Sequence, residues 1–419
     1  MIAQTPPMGW NSWDCYGAAV TEKTVRANAE YMSSFLKPFG WEYVVVDIQW
    51  SFSGAKGHAY EPFADLAMDG FGRLIPSADR FPSSRGGAGF RPLADYVHSL
   101  GLKFGIHIMR GLPRTAAHRR LPIADSDCFC HLAADPHSIC AWNPDMYGLR
   151  CGTPDAKAYY DSIFRLYASW GVDFVKCDDI AREYPRCRRE IELISESCRN
   201  CGRDMVLSLS PGPAPLEEAE HLKANANMWR ITDDFWDDWK LLKGMFERAE
   251  KWCIHAGPGH WPDADMLPVG ALRQCDSPDG WTRFSHAEQR TMMTLWCMMR
   301  SPLMAGGELT KNDSFTLSLL SNASVLEILK EGWCAHPLRT LPEESVWISL
   351  RRDGRGAWIA LFNLDDRKRT VSLRSGDSGL PCFRGFECWS GKALRKTSVL
   401  RAVLDPHDAK VFLVGTKEL

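Results

Sequence analysis

The amino-acid sequence predicts an α/β fold, an N-terminal (β/α)8 TIM barrel followed by a C-terminal antiparallel β-sandwich domain. Three observations lead to this prediction. A unit of amphipathic helix, glycine and apolar strand occurs three times in the first half of the chain, and each of these strands ends on a titratable residue. Beyond about residue 335 the chain changes to short strands of alternating polarity separated by turn residues.

The first repeat begins with a helix over residues 21–38. Its apolar residues recur at helical spacing, Thr21 is suited to cap the first turn, and Gly40 ends the helix. The apolar strand "WEYVVVD" follows and finishes on Asp47.

The second and third repeats have the same order. The helix over residues 92–100 is stopped by Gly101 and leads into "LKFGIHI", which carries His107. The helix "AYYDSIFRLYASW" is stopped by Gly171 and leads into "VDFVKCDD", which carries Asp178. Helices alternating with apolar strands indicate a parallel sheet covered by helices.

Further apolar segments bring the number of candidate strands to eight, which favours a closed barrel over an open sheet. They are residues 6–13, 205–210, 228–232, the stretch around 252–257, and 301–306. Catalytic groups of such barrels sit at the C-terminal ends of the strands. The candidates at those ends are Asp47, His107, Asp178, Ser210 and Asp234.

The C-terminal region contains a hairpin signal at Asp353-Gly354 between two alternating runs. We predict a catalytic barrel over residues 1–330 and an antiparallel β domain over residues 335–419. The second domain offers no convergent acidic residues, so we expect it to pack against the barrel, with sugar binding as the alternative.

Composition narrows the classes of partner. The 419 residues are 45% hydrophobic and 24% charged, with a net charge of -2, which gives no electrostatic reason to expect nucleic acid or an anionic membrane. No stretch approaches the roughly 18 consecutive apolar residues of a membrane span. The N-terminus lacks the basic and apolar regions of a signal peptide, so we expect a cytoplasmic protein, although a removed signal would leave no trace. Oligomeric state is not indicated.

The fifteen cysteines are scattered through apolar runs and do not form a disulfide framework. Cys128, Cys130, His131 and Cys140 could together hold zinc, but their spacing matches no standard zinc module. We expect this segment to be a loop and expect neither a metal nor a cofactor.

The stretch "GVDFVKCDD" is a buried strand that ends in charge. Because side chains alternate along a strand, Lys176 and Asp178 should both point into the barrel mouth, while Asp179 points the other way. The lysine should keep Asp178 ionised, which suits it to act as a nucleophile or a metal ligand. Asp179 is better explained as a helix cap or a solvated acid.

Two more acidic clusters follow. Residues 228–239, "MWRITDDFWDDW", place aspartates among tryptophans, as in many sugar subsites, but could equally be a helix start. Residues 259–267, "GHWPDADML", read as a tight loop whose aspartates either face a ligand or are solvated. Two aspartates on different strands describe a glycosidase with a nucleophile and a general acid. The rival class, a metal-dependent hydrolase, needs several histidines at strand ends, and only His107 qualifies.

Four ordered segments resemble the signatures of glycoside hydrolase family 27, the α-galactosidase and α-N-acetylgalactosaminidase family. They are "PPMGWNSW" (6–13), "VKCDD" (175–179), "WRITDD" (229–234) and "WPDADML" (261–267). The resemblance implies that Asp178 is the nucleophile and Asp234 the acid/base. It implies a sugar-binding role for Trp13, Asp47, Lys176, Arg230, Asp265 and Met266.

The chain departs from the family pattern at several positions. Ile48 stands where the family commonly has a second hydroxyl-binding aspartate, and His107 stands where a tyrosine is common and could compensate. Ser210, Pro211 and Gly212 replace the segment that reads the 2-position of the sugar, so an N-acetyl group could fit there.

The resulting functional hypothesis is a retaining exo-α-glycosidase that works through a covalent glycosyl-enzyme intermediate. On family grounds an α-galactosidase is preferred, followed by an α-N-acetylgalactosaminidase or another α-glycosidase. The expected partner is an α-galactoside or a related oligosaccharide or glycoconjugate. A sugar-binding relative that has lost turnover is the alternative from another class.

Overall fold

The computed structural model describes residues 2–415. The strands up to residue 305 are β1 (Met8–Asn11), β2 (Tyr43–Val46), β3 (Lys103–Met109), β4 (Leu112–Pro113), β5 (Ala134–Ile139), β6 (Met146–Leu149), β7 (Phe174–Asp178), β8 (Val206–Leu209), β9 (Met228–Arg230), β10 (Trp261–Asp263) and β11 (Leu303–Ala305). The helices are α1 (Trp13–Tyr16), α2 (Glu22–Tyr31), α3 (Arg91–Ser99), α4 (Arg114–His118), α5 (Cys130–Ala133), α6 (Pro154–Trp170), α7 (Arg188–Arg199), α8 (Ala219–Asn225), α9 (Trp239–Trp252), α10 (His286–Met299), α11 (Ser314–Leu320) and α12 (Ala323–Glu331).

The predicted barrel is confirmed. Its parallel strands follow the order β10-β9-β8-β7-β3-β2-β1-β11. The segment after β10 closes the ring, because Leu267 forms a parallel bridge with Ala305 and its backbone N–H donates to the carbonyl of Met304. The C-terminal ends of all these strands therefore meet at one mouth.

The repeated unit forms as its local signals require. Thr21 caps α2 through a reciprocal capping box with Thr24. Gly40 and Gly171 adopt the left-handed conformation that ends the helices before β2 and β7. The first helix is shorter than predicted, because α2 ends at Tyr31. A π-helical segment (Met32–Leu36) and a 3₁₀ turn (Lys37–Phe39) continue the chain to Phe39.

One strand prediction is wrong. Residues 252–257 form the end of α9 and a short 3₁₀ turn, and the strand between β9 and β11 is Trp261–Asp263. Of the apolar residues in this run, Trp252 ends α9 with its ring 6.0 Å from that of Trp229, whereas Ile254 in the turn is 75% exposed. A strand of three residues is too short to show an alternating pattern.

The insertion between β3 and α6 folds into a small three-stranded antiparallel sheet of order β4-β6-β5 with α4 and α5 beside it. Trp142 in this insertion lies with its ring 5.0 Å from that of Tyr60.

The C-terminal strands are β12 (Gly332–Leu341), β13 (Glu344–Arg351), β14 (Gly356–Asn363), β15 (Arg369–Arg374), β16 (Phe383–Glu387), β17 (Ala393–Thr397), β18 (Val399–Leu404) and β19 (Ala409–Gly415). A sheet of order β12-β13-β14-β19-β16-β17 packs over the β15-β18 pair around a shared apolar core, which confirms the predicted β-sandwich. The domain limits 1–330 and 335–419 stay a prediction, and Met1 and residues 416–419 lie outside the described residues.

Within residues 2–415, no helix combines the length and the apolar character that crossing a membrane requires. All fifteen cysteines lie in this range and are unpaired.

Candidate active site

A polar pocket opens at the C-terminal mouth of the barrel. The residues that line it come from the segments that follow β1, β2, β9 and β10, together with the ends of β7 and β9. They are Trp13, Asp14, Asp47, Tyr60, Lys176, Asp178, Arg230, Asp234, Phe235, Trp236, Asp265 and Met266.

Asp178 ends β7 and is buried except for its pocket side. One carboxylate oxygen accepts a hydrogen bond from the backbone N–H of Asp179, and the other lies 3.0 Å from Nε2 of His107 on the neighbouring strand β3. Burial alone would raise the pKa of Asp178. The hydrogen bond with His107 and the attraction of His107 and Lys176 outweigh burial and lower that pKa. The carboxylate is therefore ionised and fixed in orientation, as a nucleophile requires.

Lys176 and Asp47 form a buried ion pair beside Asp178. The Lys176 Nζ donates to Asp47 Oδ2 at 2.8 Å, and Asn11 Nδ2 donates to the same oxygen at 2.9 Å. The other Asp47 oxygen accepts from the backbone N–H of Ile48. Burial opposes the charge on both groups, but the pairing lowers the pKa of Asp47 and raises that of Lys176.

Arg230 joins two carboxylates on the opposite wall. Its guanidinium lies 2.7 Å from Asp265 and 3.1 Å from Asp234. The Asp234 side chain is 52% exposed, whereas that of Asp178 is only 13% exposed. The more exposed carboxyl lies where a leaving group would meet solvent.

Asp265 is held in an unusual conformation, with a φ of 81° in the left-handed region. Burial is the main cause that raises the pKa of Asp265 to about 7, and the neighbouring Asp234 and Asp263 add to it against the attraction of Arg230. The backbone N–H of Phe235 donates to the Asp265 carboxylate at 2.7 Å, which ties the loop after β9 to the loop after β10.

Aromatic rings form the remaining walls. Tyr60 stacks on Trp13 with ring centroids 5.4 Å apart and planes 7° from parallel. The His58 ring meets the edge of Trp13 and of Trp236, and its Nε2 donates to the Trp13 carbonyl. Apolar ring faces beside hydrogen-bonding groups suit the two-sided surface of a pyranose.

The structure brings together eight of the ten residues predicted for the site. The two others do not line the pocket. His107 lies behind Asp178, so it orients that carboxylate and does not stand in for the missing acid at position 48. Ser210 is buried behind the pocket wall, and no hydrogen bond from the described residues reaches its hydroxyl.

Four lining residues were missed in the sequence analysis. Phe235 and Trp236 lie within the acidic cluster 228–239, whose aromatic character was noted without assigning them. Asp14 follows Trp13 directly, and Tyr60 lies in a long loop that no local pattern places at the barrel mouth.

Residues 2–415 contain one group of three or more metal-ligating side chains close together, His58, Cys275 and Asp276. Cys128, Cys130, His131 and Cys140 do not form such a group. Cys130 donates to the carbonyl of Phe71 instead.

Comparison with known proteins places this geometry in a family. Residues 143–331 match the family model described as alpha galactosidase A. The crystal structure of a GH27 β-L-arabinopyranosidase from Geobacillus stearothermophilus is 51% identical in sequence and superposes with a TM-score of 0.96. The match covers 100% of this chain and 98% of that one. The chain belongs to glycoside hydrolase family 27. It is a glycosidase, and the barrel mouth that carries Asp178 and Asp234 is the candidate active site of this family 27 hydrolase.

Other relatives differ in the sugar they are named for. A Bacillus halodurans protein provisionally assigned as an α-N-acetylgalactosaminidase is 47% identical, with a TM-score of 0.89, over 100% of this chain and 99% of that one. The α-galactosidase of Cyamopsis tetragonoloba is 28% identical over 99% of this chain and 87% of its own length. Family membership therefore leaves the sugar in the first subsite open.

Proposed function

We propose that this family 27 hydrolase is a retaining exo-glycosidase that releases β-L-arabinopyranose. A β-L-arabinopyranoside has the ring configuration of an α-D-galactoside from C1 to C4, but it lacks the hydroxymethyl group on C5. An enzyme of this family could therefore use the same catalytic groups on either sugar. The preference for one sugar over the other depends on whether the pocket has room and a hydrogen-bond partner for the hydroxymethyl group.

Ile48 is the observation that carries the proposal. It follows Asp47 directly, is 3% exposed, and lies behind the pocket lining in one apolar cluster with the lining residues Trp13 and Met266. The resemblance to the family implies a hydroxyl-binding carboxylate at this position. An apolar branched side chain there offers no hydrogen-bond partner to an additional hydroxyl and takes up space. A sugar without the hydroxymethyl group requires neither that partner nor that space.

The comparisons give this reading further support. The relative at 51% identity is named for β-L-arabinopyranosides, and a variant of that enzyme has been solved in complex with arabinose. The α-galactosidases of Oryza sativa subsp. japonica and Arabidopsis thaliana are only 24% and 29% identical to this chain.

In the proposed mechanism the Asp178 carboxylate attacks the anomeric carbon while Asp234 protonates the leaving oxygen. The bond to the aglycone breaks as the bond to Asp178 forms. Asp234 then takes a proton from water, which cleaves the glycosyl-enzyme bond and restores Asp178. Lys176 and Arg230 hold the ring hydroxyls, and their buried ion pairs keep them in place during the cycle.

An α-galactosidase is the second candidate, supported by the names of the curated relatives. An α-N-acetylgalactosaminidase is less favoured by the geometry. Neither Ser210 nor Gly212 lines the pocket, and a Cβ on Gly212 would lie 2.4 Å from the carbonyl oxygens of Arg230 and Thr232. This loop is therefore packed against β9 and leaves no open wall for an acetamido group.

The test is the hydrolysis of three nitrophenyl glycosides, the β-L-arabinopyranoside, the α-D-galactopyranoside and the α-N-acetylgalactosaminide. We expect the highest kcat/KM for the arabinopyranoside. It should exceed that for the galactoside by about 10-fold or more, the usual effect of one substrate group that a pocket accommodates poorly. A preference for the galactoside would replace the proposal with the second candidate.

Ile48→Asp tests whether this residue sets the preference. We expect the ratio of galactoside to arabinopyranoside kcat/KM to rise by about 10- to 100-fold, because the new carboxylate offers a hydrogen-bond partner and more room. Ile48→Val is the matched control, since it keeps an apolar branched side chain, and should leave the ratio within a few-fold. An unchanged ratio in Ile48→Asp would assign specificity elsewhere.

A further inference from the structure

Asp14 is a buried carboxyl group in the pocket that the mechanism above does not use. It lies on the four-residue helix α1, directly after Trp13, at the C-terminal end of β1. The residue is 2% exposed, yet its side chain is part of the pocket lining. Its backbone carbonyl accepts a hydrogen bond from Arg273, which anchors the residue to the loop after β10.

The carboxyl group of Asp14 lacks the partners that a buried acid requires. Among the described residues, no hydrogen bond or ion pair reaches it, and its Oδ2 is fully buried without a partner. Buried polar groups in native proteins are nearly always paired. Because Oδ2 is enclosed, a ligand in the pocket would meet the other oxygen, Oδ1, and a pocket acid without a partner in the protein points to a partner supplied by the ligand.

The fold leaves space for this side chain at one point. A Cβ on Gly306, just after β11, would lie 2.1 Å from Asp14 Oδ2, so any larger residue there would collide with the carboxyl group. Gly306 has an ordinary negative φ, and its lack of a side chain is explained by this close approach.

The other charged groups of the pocket are already engaged. Asp47 pairs with Lys176, Asp178 bonds to His107, and Arg230 bridges Asp234 and Asp265. Asp14 has no such counter-charge.

Burial raises the pKa of Asp14 well above its usual range, and the negative charge of Asp265 adds to this effect. Asp234 and Asp47 act in the same direction, and Lys176 opposes them. A raised pKa favours the neutral carboxyl group, which can both donate and accept a hydrogen bond.

We propose that Asp14 is a sugar-binding residue whose carboxyl group hydrogen-bonds to a ring hydroxyl of the pyranose in the pocket. The proposal rests on the proposed function to the extent that the pocket holds a pyranose, but it uses only the C2 to C4 hydroxyls that arabinopyranose and galactose share. Binding of the sugar supplies the partner that the free enzyme lacks.

The experiment compares Asp14→Ala with Asp14→Asn on a nitrophenyl β-L-arabinopyranoside and on its 2-, 3- and 4-deoxy analogues. Asp14→Ala should lower kcat/KM for the parent substrate by about 10- to 100-fold, the effect of one lost pocket hydrogen bond. Asp14→Asn keeps the shape, a donor and an acceptor, and should stay within about 10-fold of wild type. The penalty of Asp14→Ala should vanish on the one deoxy analogue that lacks the contacted hydroxyl.

Thermal unfolding separates binding from structure. Because Asp14→Ala removes an unpaired buried group, its Tm should match or exceed that of the wild type while its activity falls. Gly306→Ala, which pushes a methyl group against the carboxyl, should also reduce activity. If Asp14→Ala does not fold, Asp14→Ser takes its place, since its hydroxyl is too short to reach the same atom.

An equal penalty on all three deoxy analogues, or a lowered Tm with no rescue by asparagine, would overturn the proposal. If the wild type instead prefers the galactoside, the proposed function fails separately. The same variants are then measured with deoxy-galactosides, because the configuration at C2 to C4 is the same.

Discussion

The carboxylate of Asp178 is held by two neighbours that act on different oxygens. The backbone N–H of Asp179 holds one oxygen at 2.9 Å, and His107 holds the other at 3.0 Å. The proposed nucleophile is thus oriented by strand β3 and by its own chain, while Lys176 is paired with Asp47. At the scale of single residues, the ionised nucleophile depends on His107 more than on the lysine that precedes it in the sequence.

Replacement of the nucleophile tests the role of Asp178. We expect Asp178→Asn to lower kcat by at least about 10³-fold, since the amide cannot form the glycosyl-enzyme intermediate. Calorimetry with the free sugar should show binding close to that of wild type. Asp95→Asn, at an exposed pair with Arg91 on α3, is the control and should keep full activity. Residual activity near that of wild type in Asp178→Asn would remove this residue from the mechanism.

His107→Ala tests the pH dependence. The pKa of Asp178 is lowered in the folded enzyme, so its ionised form persists into acidic solution. Without His107, burial dominates and the pKa rises, so Asp178 becomes protonated at a higher pH. The acid limb of the pH profile of kcat/KM should therefore move to higher pH. His107→Gln, which can still donate, should shift the limb less. An acid limb that does not move in His107→Ala would show that another group controls it.

The elements around the nucleophile are joined by a buried ionic network. Arg110, which follows β3 and is 2% exposed, binds the carbonyl and carboxylate of Asp179 and the carboxylate of Glu190 on α7. Asp179 has a positive φ of 60°, so the turn after β7 depends on this anchor. The network connects strand β3, the end of strand β7 and helix α7 at the point where Asp178 leaves the sheet.

Arg110→Met tests this network. Removing the cation leaves two buried carboxylates without a counter-charge, so the free energy of unfolding should fall by about 3–5 kcal/mol, as measured by urea denaturation. Arg91→Ala breaks the exposed pair with Asp95 on α3 and should cost about 0–1 kcal/mol. Similar losses in both variants would mean that the Arg110 network adds no stability beyond a surface pair.

At the scale of the whole molecule, one apolar cluster extends from the barrel into the β-sandwich. Helices α10 and α12 of the barrel and strands β13, β14 and β19 of the sandwich contribute to the same buried cluster. Phe362 on β14 meets Phe246 on α9 with ring centroids 5.0 Å apart, and Trp389 Nε1 donates to Thr294 on α10. The sandwich therefore supports the barrel wall.

Calorimetry tests this coupling. Because the core is continuous, we expect a single unfolding transition, and Phe362→Ala should shift it as a whole to lower temperature through a loss of about 3–5 kcal/mol. Val403→Ala, on the outer face of β18 with 57% exposure, should change stability by less than about 0.5 kcal/mol. Two resolved transitions, with only one moved by Phe362→Ala, would contradict a shared core.

The periodic pattern of apolar residues along the chain was sufficient to predict much of this architecture. The helix, glycine and strand repeats predicted the barrel, and alternation in the C-terminal region predicted the sandwich. The period of two along β7 correctly separated Lys176 and Asp178, which line the pocket, from Asp179, which pairs with Arg110 behind it. These features are local, because each depends on residues within one turn or one strand of each other.

The composition of the pocket was decided by tertiary structure. Asp14, Tyr60 and Trp236 join the site because the loops after β1, β2 and β9 meet at the mouth. His107 was predicted as a sugar contact, but it lies behind the nucleophile, since strands β3 and β7 are neighbours in the sheet. Which loops meet, and which side chain stands in front of another, depends on contacts between distant residues, and no local period along the chain encodes them.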